Sequence, residues 1–312
     1  MGKQATRDAY GLALVELGGR HDDVVVMDAD LSKSTKTADF AKAFPGRFFN
    51  AGIAEQNLMG MAAGLAASGK VVYASTFAVF ATGRAFEQVR NSLAYGKLNV
   101  KVCATHAGVT VGEDGGSHQS VEDIATMRSI PNMTVVVPAD GMSTRQAVMA
   151  LYATEGPAYL RLGRPSIPLL YDENTDFQIG RGIELKQGSD ATLIACGLMV
   201  AKCLEAARIL EQEGIKVSVV DMHTIKPLDE ELVIRKARET GAIVTAEEHS
   251  IIGGLGGAVC ETVCAHCPVP VYRLGIEDKF GQSGSPDELL DYYGLNVEQI
   301  MIKVRKIIKN KG

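Results

Sequence analysis

Three clusters of this 312-residue chain combine residue types that chemistry uses with spacings that bring them together. The first is Asn50-Ala51-Gly52-Ile53-Ala54-Glu55-Gln56-Asn57, where one carboxylate follows a turn and opens a strongly apolar helical pattern. Glu55 then lies at the positive end of the helix dipole. Taken alone it reads as a charge that stabilises its helix, because acidic residues are common in first turns. The second cluster is Ser75-Thr76-Phe77-Ala78-Val79-Phe80, with two aromatic rings three residues apart just beyond a strand. Such a pair is either core or, since ligands of open α/β sheets bind at strand ends, a platform for a flat heterocycle. The third runs from Thr105-His106-Ala107-Gly108 to Gly112-Glu113-Asp114-Gly115-Gly116-Ser117-His118-Gln119. A buried core has no use for that composition; histidines and acids shown on a Gly-rich loop beside a rigid sheet point to function. It is not a P-loop, because GxxxxGK[ST] is missing.

Gly253-Gly254-Leu255-Gly256-Gly257 is a weaker phosphate-loop candidate. Without an acidic ribose contact at the usual spacing, it reads as tight strand–helix packing.

The elements that must hold these clusters alternate. Short β-branched runs at 24–27, 71–73, 100–103 and 135–137 lie between helical patterns at 6–18, 54–68 and 141–155. The first helix is expected to end at Gly18-Gly19 and the second at Gly69. This pattern predicts a parallel sheet covered by helices. A stretch rich in proline and polar residues follows Arg164, and a second set begins after it, with strands at 191–195, 216–220, 242–246 and 269–274 and helices at 200–212 and 229–239. The expectation is an α/β chain of two domains, 1–165 and 189–312, joined by a linker at 166–188, each domain a mostly parallel sheet with helices on both faces.

Length and 46% hydrophobic content suffice for two cores. A net charge of −5 without a Lys/Arg-rich run argues against nucleic acid as partner. No apolar leader and no stretch of about 18 apolar residues appears, so no membrane partner is expected. Met1-Gly2 and Thr6 fit a loose myristoylation pattern, but the following residues run into a helix. Cys260, Cys264 and Cys267 share one helical face beside His266, without paired CxxC spacing; the reading is a packed face, not a metal cluster, in a reducing, cytoplasmic compartment.

Taken in order, Ala29-Asp30-Leu31, Gly52-Ile53-Ala54-Glu55-Gln56-Asn57, Ser75-Thr76-Phe77, Gly112-Glu113-Asp114-Gly115 and Thr224-Ile225-Lys226-Pro227-Leu228-Asp229 resemble the pyrimidine-binding and C-terminal domains of transketolase, from about residue 5 to about 307. The resemblance implies thiamine diphosphate as cofactor, with the aminopyrimidine on this kind of domain and the diphosphate and Mg²⁺ on a separate N-terminal one bearing a GDG motif and a later Asn. This chain has no GDG, Ala139-Asp140-Gly141 being the nearest approach. The resemblance therefore implies a partner, an N-terminal transketolase subunit, in an α2β2 assembly in which this chain also self-associates.

Carried across by motif, Glu55 is the glutamate that hydrogen-bonds the aminopyrimidine and activates the cofactor, which calls for a carboxyl in apolar surroundings. Phe77 and Phe80 pack on the pyrimidine, and Asp30 is an acid near the cofactor. Asp114 and His118 read the donor sugar, His118 also being placed among the catalytic residues. Arg7, Ser34, His106 and Arg164 match the phosphate-binding set, a task suited to the planar fork of Arg. Where some members of the family carry a third aromatic residue, this chain has Gly83, and its length is roughly half theirs. The expected reaction moves a two-carbon ketol unit from a ketose phosphate to an aldose phosphate. Rival readings are the β subunit of a 2-oxo-acid dehydrogenase E1 component, a relative acting on a branched or sulfonated sugar, and a binding module without catalysis.

Overall fold

Runs of β-branched residues between helical patterns dictate alternating strands and helices, and the computed structural model, which describes residues 2–311, is built that way. Among the described residues the strands form three sheets. The largest has seven strands in the order Thr224–Lys226, Thr134–Val136, Ala158–Arg161, Val100–Thr105, Val71–Phe77, Val24–Asp28 and Phe48–Asn50. Its neighbours pair in parallel except the edge strand Thr224–Lys226, which runs antiparallel to Thr134–Val136. Val24–Asp28, Val71–Phe77 and Val100–Thr105 are buried at every position, as parallel strands covered on both faces must be. The second sheet orders Val271–Ile276, Ile243–Ser250, Ala191–Ala195 and Val217–Asp221 in parallel, with Ile183–Lys186 antiparallel at its edge. A two-stranded ribbon of Lys3–Ala5 and Ser166–Pro168 forms the third.

The parallel order puts the C-terminal ends of four central strands, at Asp28, Phe77, Thr105 and Arg161, along one edge of the large sheet. The loops leaving that edge carry Asp30, Phe80, His106 and Arg164. Helix Glu55–Ala67 lies against the sheet through Leu58, Met59 and Ala62, all fully buried with Val25, Met27, Val72 and Ala74. Burying a Leu or Met stabilises by about 1.5–3 kcal/mol, so the start of this helix is anchored within one turn of Glu55.

Several local expectations differ from the structure. Gly18-Gly19 does not end the first helix, which spans Thr6–Arg20. A Cβ on Gly18 would lie 2.5 Å from the Phe40 ring and 2.8 Å from that of Phe44, so this glycine serves close packing and not a cap. Ser75, Thr76 and Phe77 do not follow the strand at 71–73 but complete it, because the ladder to Val100–Thr105 continues to Phe77. The stretch after Arg164 contains the strands Ser166–Pro168 and Ile183–Lys186. The Cys260, Cys264 and Cys267 face is packed only in part: helix Leu255–His266 buries Leu255, Ala258, Val259, Thr262 and Val263, which leaves Cys264 exposed and Cys260 half-buried, while the half-buried Cys267 packs against the core. Cys267 lies past the helix end. The apolar residues one position away from the cysteines own the face toward the sheet.

The two larger sheets are tied together by the backbone. Val137 N–H donates to His223 O at 2.7 Å, and Ser250 N–H to Val121 O at 2.7 Å. Arg161 forms a buried ion pair with Asp123, Nε to Oδ2 at 2.7 Å, while its Nη2 donates to Glu248 O at 2.9 Å. Tyr159 Oη donates to the same carboxylate at 2.6 Å, so every charge here is hydrogen-bonded, as burial demands. No helix among the described residues is long and apolar enough to cross a membrane.

Candidate functional site

Glu55 is the first residue of helix Glu55–Ala67 and only 3% exposed. Its surroundings are not purely apolar, as its expected role would have them: Arg84 Nη1 lies 2.9 Å from Glu55 Oε1. The same guanidinium sits over the Phe80 ring, 4.6 Å from its centroid. Arg84 ends a wide π-helical turn, Phe80–Arg84, closed by Ala85 N–H donating to Phe80 O at 3.1 Å. Turns of this kind recur at functional sites.

The rings of Phe77, Phe80, His106 and His118 form one cluster. Phe77 and Phe80 are 5.9 Å apart with planes inclined by 11°, and Phe77 stacks on His106 at 3.9 Å. His118 meets the edge of Phe80 at 5.6 Å. Phe77 is buried, in keeping with the core reading, whereas Phe80 is half-buried.

His106 is 3% exposed and adopts a left-handed φ of 57°. Burial, with Arg7, Arg164 and His118 nearby, pushes its imidazole down to about 3, so it is neutral at physiological pH. Arg7 Nη1, which can only donate, lies 3.2 Å from Nε2; Nε2 therefore accepts, and Nδ1–H donates to Thr105 Oγ1 at 2.8 Å. Both nitrogens are thus engaged, and a phosphate contact from this ring would require the Arg7 contact to yield. Arg7 also donates to the carbonyl of Ser34 at 3.2 Å, which brings Ser34 to the group through its backbone. Arg164 donates to Val111 O and, at 3.2 Å, to Glu113, with Asp114 at 3.9 Å. Asp30 stands apart, tied to Asn50 by two hydrogen bonds of 3.0 and 3.2 Å.

Reading the sequence alone missed Arg84 and Glu248, and named Gln119 only as the end of its loop. Glu248 comes from the second sheet, yet its Oε1 accepts Thr110 N–H at 2.7 Å in the turn after His106. Burial pushes its carboxyl up to about 7. A Cβ on Gly108, at φ 80°, would overlap that carboxylate. The glycine run before helix Leu255–His266 also has its anion within the chain: Glu247 accepts from Leu255 N–H at 2.7 Å and Gly256 N–H at 2.8 Å. The helix start therefore holds a side chain of its own fold, in keeping with the packing role expected of these glycines.

A half-enclosed wall of rings, a carboxylate at a helix start and two arginines make a site suited to a flat, partly apolar heterocycle beside an anionic ligand. Residues 2–168 match the family model described as the transketolase pyrimidine-binding domain, and residues 180–300 that of the transketolase C-terminal domain. A protein of Methanocaldococcus jannaschii named as a transketolase C-terminal section is 52% identical over 98% of this chain and 96% of its own length. A 6-deoxy-6-sulfo-D-fructose transketolase subunit of a Clostridium species is 42% identical over 98% of this chain and 95% of its own. A solved structure described as a split gene transketolase, inactive β4 tetramer, superposes with a TM-score of 0.93 at 56% identity and covers 99% of both chains.

Proposed function

The chain belongs to the transketolase family, and on that premise we propose that it is the pyrimidine-side subunit of a two-chain, thiamine-diphosphate-dependent transketolase. It moves a two-carbon ketol unit from a ketose phosphate such as xylulose 5-phosphate to an aldose phosphate such as ribose 5-phosphate. The division into 1–165, a linker at 166–188 and 189–312 is supported by the matched ranges 2–168 and 180–300. The observation that carries the reading is the buried Glu55 carboxylate beside the ring cluster of Phe77, Phe80, His106 and His118.

The residues fit the pyrimidine end of the cofactor. Glu55 Oε1 is engaged by Arg84, while Oε2 makes no hydrogen bond among the described residues and is the oxygen available to a ring nitrogen. Thiamine diphosphate, when bound, would supply the nucleophilic carbon that ketol transfer needs. With the cofactor bound, Glu55 would share a proton with the pyrimidine ring, and the start of a well-anchored helix keeps that carboxyl in place. Phe77 and Phe80 offer their faces to the ring and exclude water from its side.

Arg7 and Arg164 supply charge-assisted donors for a sugar phosphate, with neutral His106 keeping Arg7 in place. Ser34 completes this phosphate set. Asp114 and His118, on the loop beside Phe80, read the hydroxyls of the donor; Asp30 is assigned to the cofactor's surroundings by the resemblance alone, its side chain being tied to Asn50. Mg²⁺ and the diphosphate are held mainly by the N-terminal partner, in an α2β2 assembly. The phosphate-reading arginines favour this function over an E1 β subunit, whose 2-oxo acid has no phosphate. A sulfonated donor sugar, as in the name of the Clostridium relative, would place another anion in the same arginine set.

Glu55→Ala tests the reading. With partner, cofactor and Mg²⁺ present, turnover is expected to fall by about a thousandfold or more while the circular dichroism spectrum is kept. Turnover near the wild-type rate would sink the assignment.

A further inference from the structure

The loop that carries Asp114 and His118 is held from the side of the second sheet. Gln119, which ends the loop, is 4% exposed, and its Nε2 faces three carbonyl oxygens: Val109 and Gly112 at 3.1 Å each and Gln282 at 2.9 Å. Three carbonyl acceptors fix which end of the amide is nitrogen, and its two hydrogens are shared among them. Val109 and Gly112 begin the loop, whereas Gln282 lies in the segment after strand Val271–Ile276. One side chain therefore knots both ends of the loop to a segment some 160 residues away.

On the other face of this knot is Gly281, where any Cβ would overlap the Gln119 side-chain amide. A Cβ on Gly116 would in turn lie 2.5 Å from Gly281 O, so two backbones touch here. Ser283 Oγ donates to Glu113 O at 2.7 Å, and Tyr293 Oη holds the distal segment through Phe280 O at 2.7 Å. Within the loop, Gly112 at φ 89° and Gly115 at φ 74° make turns closed by Gly115 N–H to Gly112 O at 3.1 Å and His118 N–H to Gly115 O at 3.0 Å.

We propose that Gln119 and Gly281 form a single strut through which the second sheet sets the position of Asp114 and His118. Both are positioning residues, and neither touches substrate. The inference rests on the ketol-transfer reading only for what Asp114 and His118 do; the strut itself stands on the contacts above.

The test uses the full chain with Gln119→Glu, Gly281→Ala and the double variant. Gln119→Glu keeps shape but turns a donor into a charge facing three carbonyls, and Gly281→Ala displaces the amide from the opposite side. Ser283→Ala, a milder change, removes one hydrogen bond and serves if either fails to fold. In the free chain each single variant is expected to speed amide hydrogen exchange in residues 109–119 by about tenfold, the scale of one or two lost hydrogen bonds. Exchange in Val71–Phe77 and Val100–Thr105 stays unchanged, and the double variant exchanges no faster than the faster single. With partner and cofactor, KM for the ketose phosphate rises about tenfold while kcat stays within about threefold. Unchanged exchange in 109–119, fully additive effects in the double variant, or a loosened loop with unaltered KM would each overturn the proposal. If exchange behaves as expected but the wild-type complex transfers no ketol unit, the functional reading falls and the strut remains as a device of the fold.

Discussion

Removing Arg84 probes the charge that the fold has placed beside Glu55. In Arg84→Met the buried Glu55, 3% exposed, keeps its place at the helix start but loses the guanidinium 2.9 Å away. A hydrogen bond to a charged group is worth about 1.5–3 kcal/mol when buried. Arg84 is 52% exposed on its side chain, so solvent screens part of this and the expected loss is about 1–2 kcal/mol. For a chain of this size that corresponds to a fall in Tm of about 1.5–3 °C. Glu55→Gln keeps the acceptor oxygen for Arg84 and removes the need to bury a charge, so alone it is close to neutral. The double variant should then melt like Glu55→Gln, with a coupling of about 1 kcal/mol or more. The assay is thermal and urea unfolding of the four proteins at pH 7.5 and low salt. An Arg84→Met protein as stable as wild type, or two changes that simply add, would refute the argument that Arg84 compensates a buried Glu55 charge.

Two further outcomes bear on how the sheets are joined. Gly108→Ala forces a side chain into the Glu248 carboxylate at a left-handed φ of 80°, and should cost about 2–4 kcal/mol by urea unfolding; a loss under about 1 kcal/mol would mean that Glu248 moves aside freely. Burial pushes the Asp221 carboxyl up to about 8, with Tyr171 Oη donating to it at 2.7 Å and Asp140 nearby. Because the folded value lies above the unfolded one of 3.8, the contribution of Asp221 to stability is complete below pH 3.8 and is lost as pH rises through about 8. Asp221→Asn, which still accepts from Tyr171, should flatten the fall in Tm between pH 5 and 9; an unchanged profile would show that Asp221 does not carry it.

Much of the fold is legible in the sequence because parallel strands buried on both faces must be runs of apolar, mostly β-branched residues. Val24-Val25-Val26 and Val71-Val72-Tyr73 announce themselves in this way. Strand Thr224–Lys226 does not, since it is three residues long and exists only because Thr134–Val136 offers an open edge. Gly18 was misread because local propensity says nothing of Phe40 and Phe44 lying across it. In the candidate site, Phe80 and His106 stand out in the sequence because each follows a strand end, a position that periodicity locates, whereas Arg164 enters only through the resemblance. Arg84 sits in a π-helical turn that no periodicity specifies, and Gln119 and Glu248 act over sequence separations of 163 and 138 residues. A glutamine after a histidine and a second glutamate in a strand carry no local signal of what they hold. The cysteine face is buried only in part for a related reason: a shared face can be identified from spacing, but how far it points inward depends on which neighbouring face is more apolar.

The most direct test of the two-chain account is reconstitution. The chain is mixed with an N-terminal subunit bearing the GDG motif, thiamine diphosphate, Mg²⁺, xylulose 5-phosphate and ribose 5-phosphate, and each component is omitted in turn while sedoheptulose 7-phosphate is measured. The account predicts product only from the complete mixture, with either subunit alone inactive. Product from this chain by itself, or no ketol transfer from the complete mixture but acyl transfer once pyruvate replaces the two sugar phosphates, would contradict it.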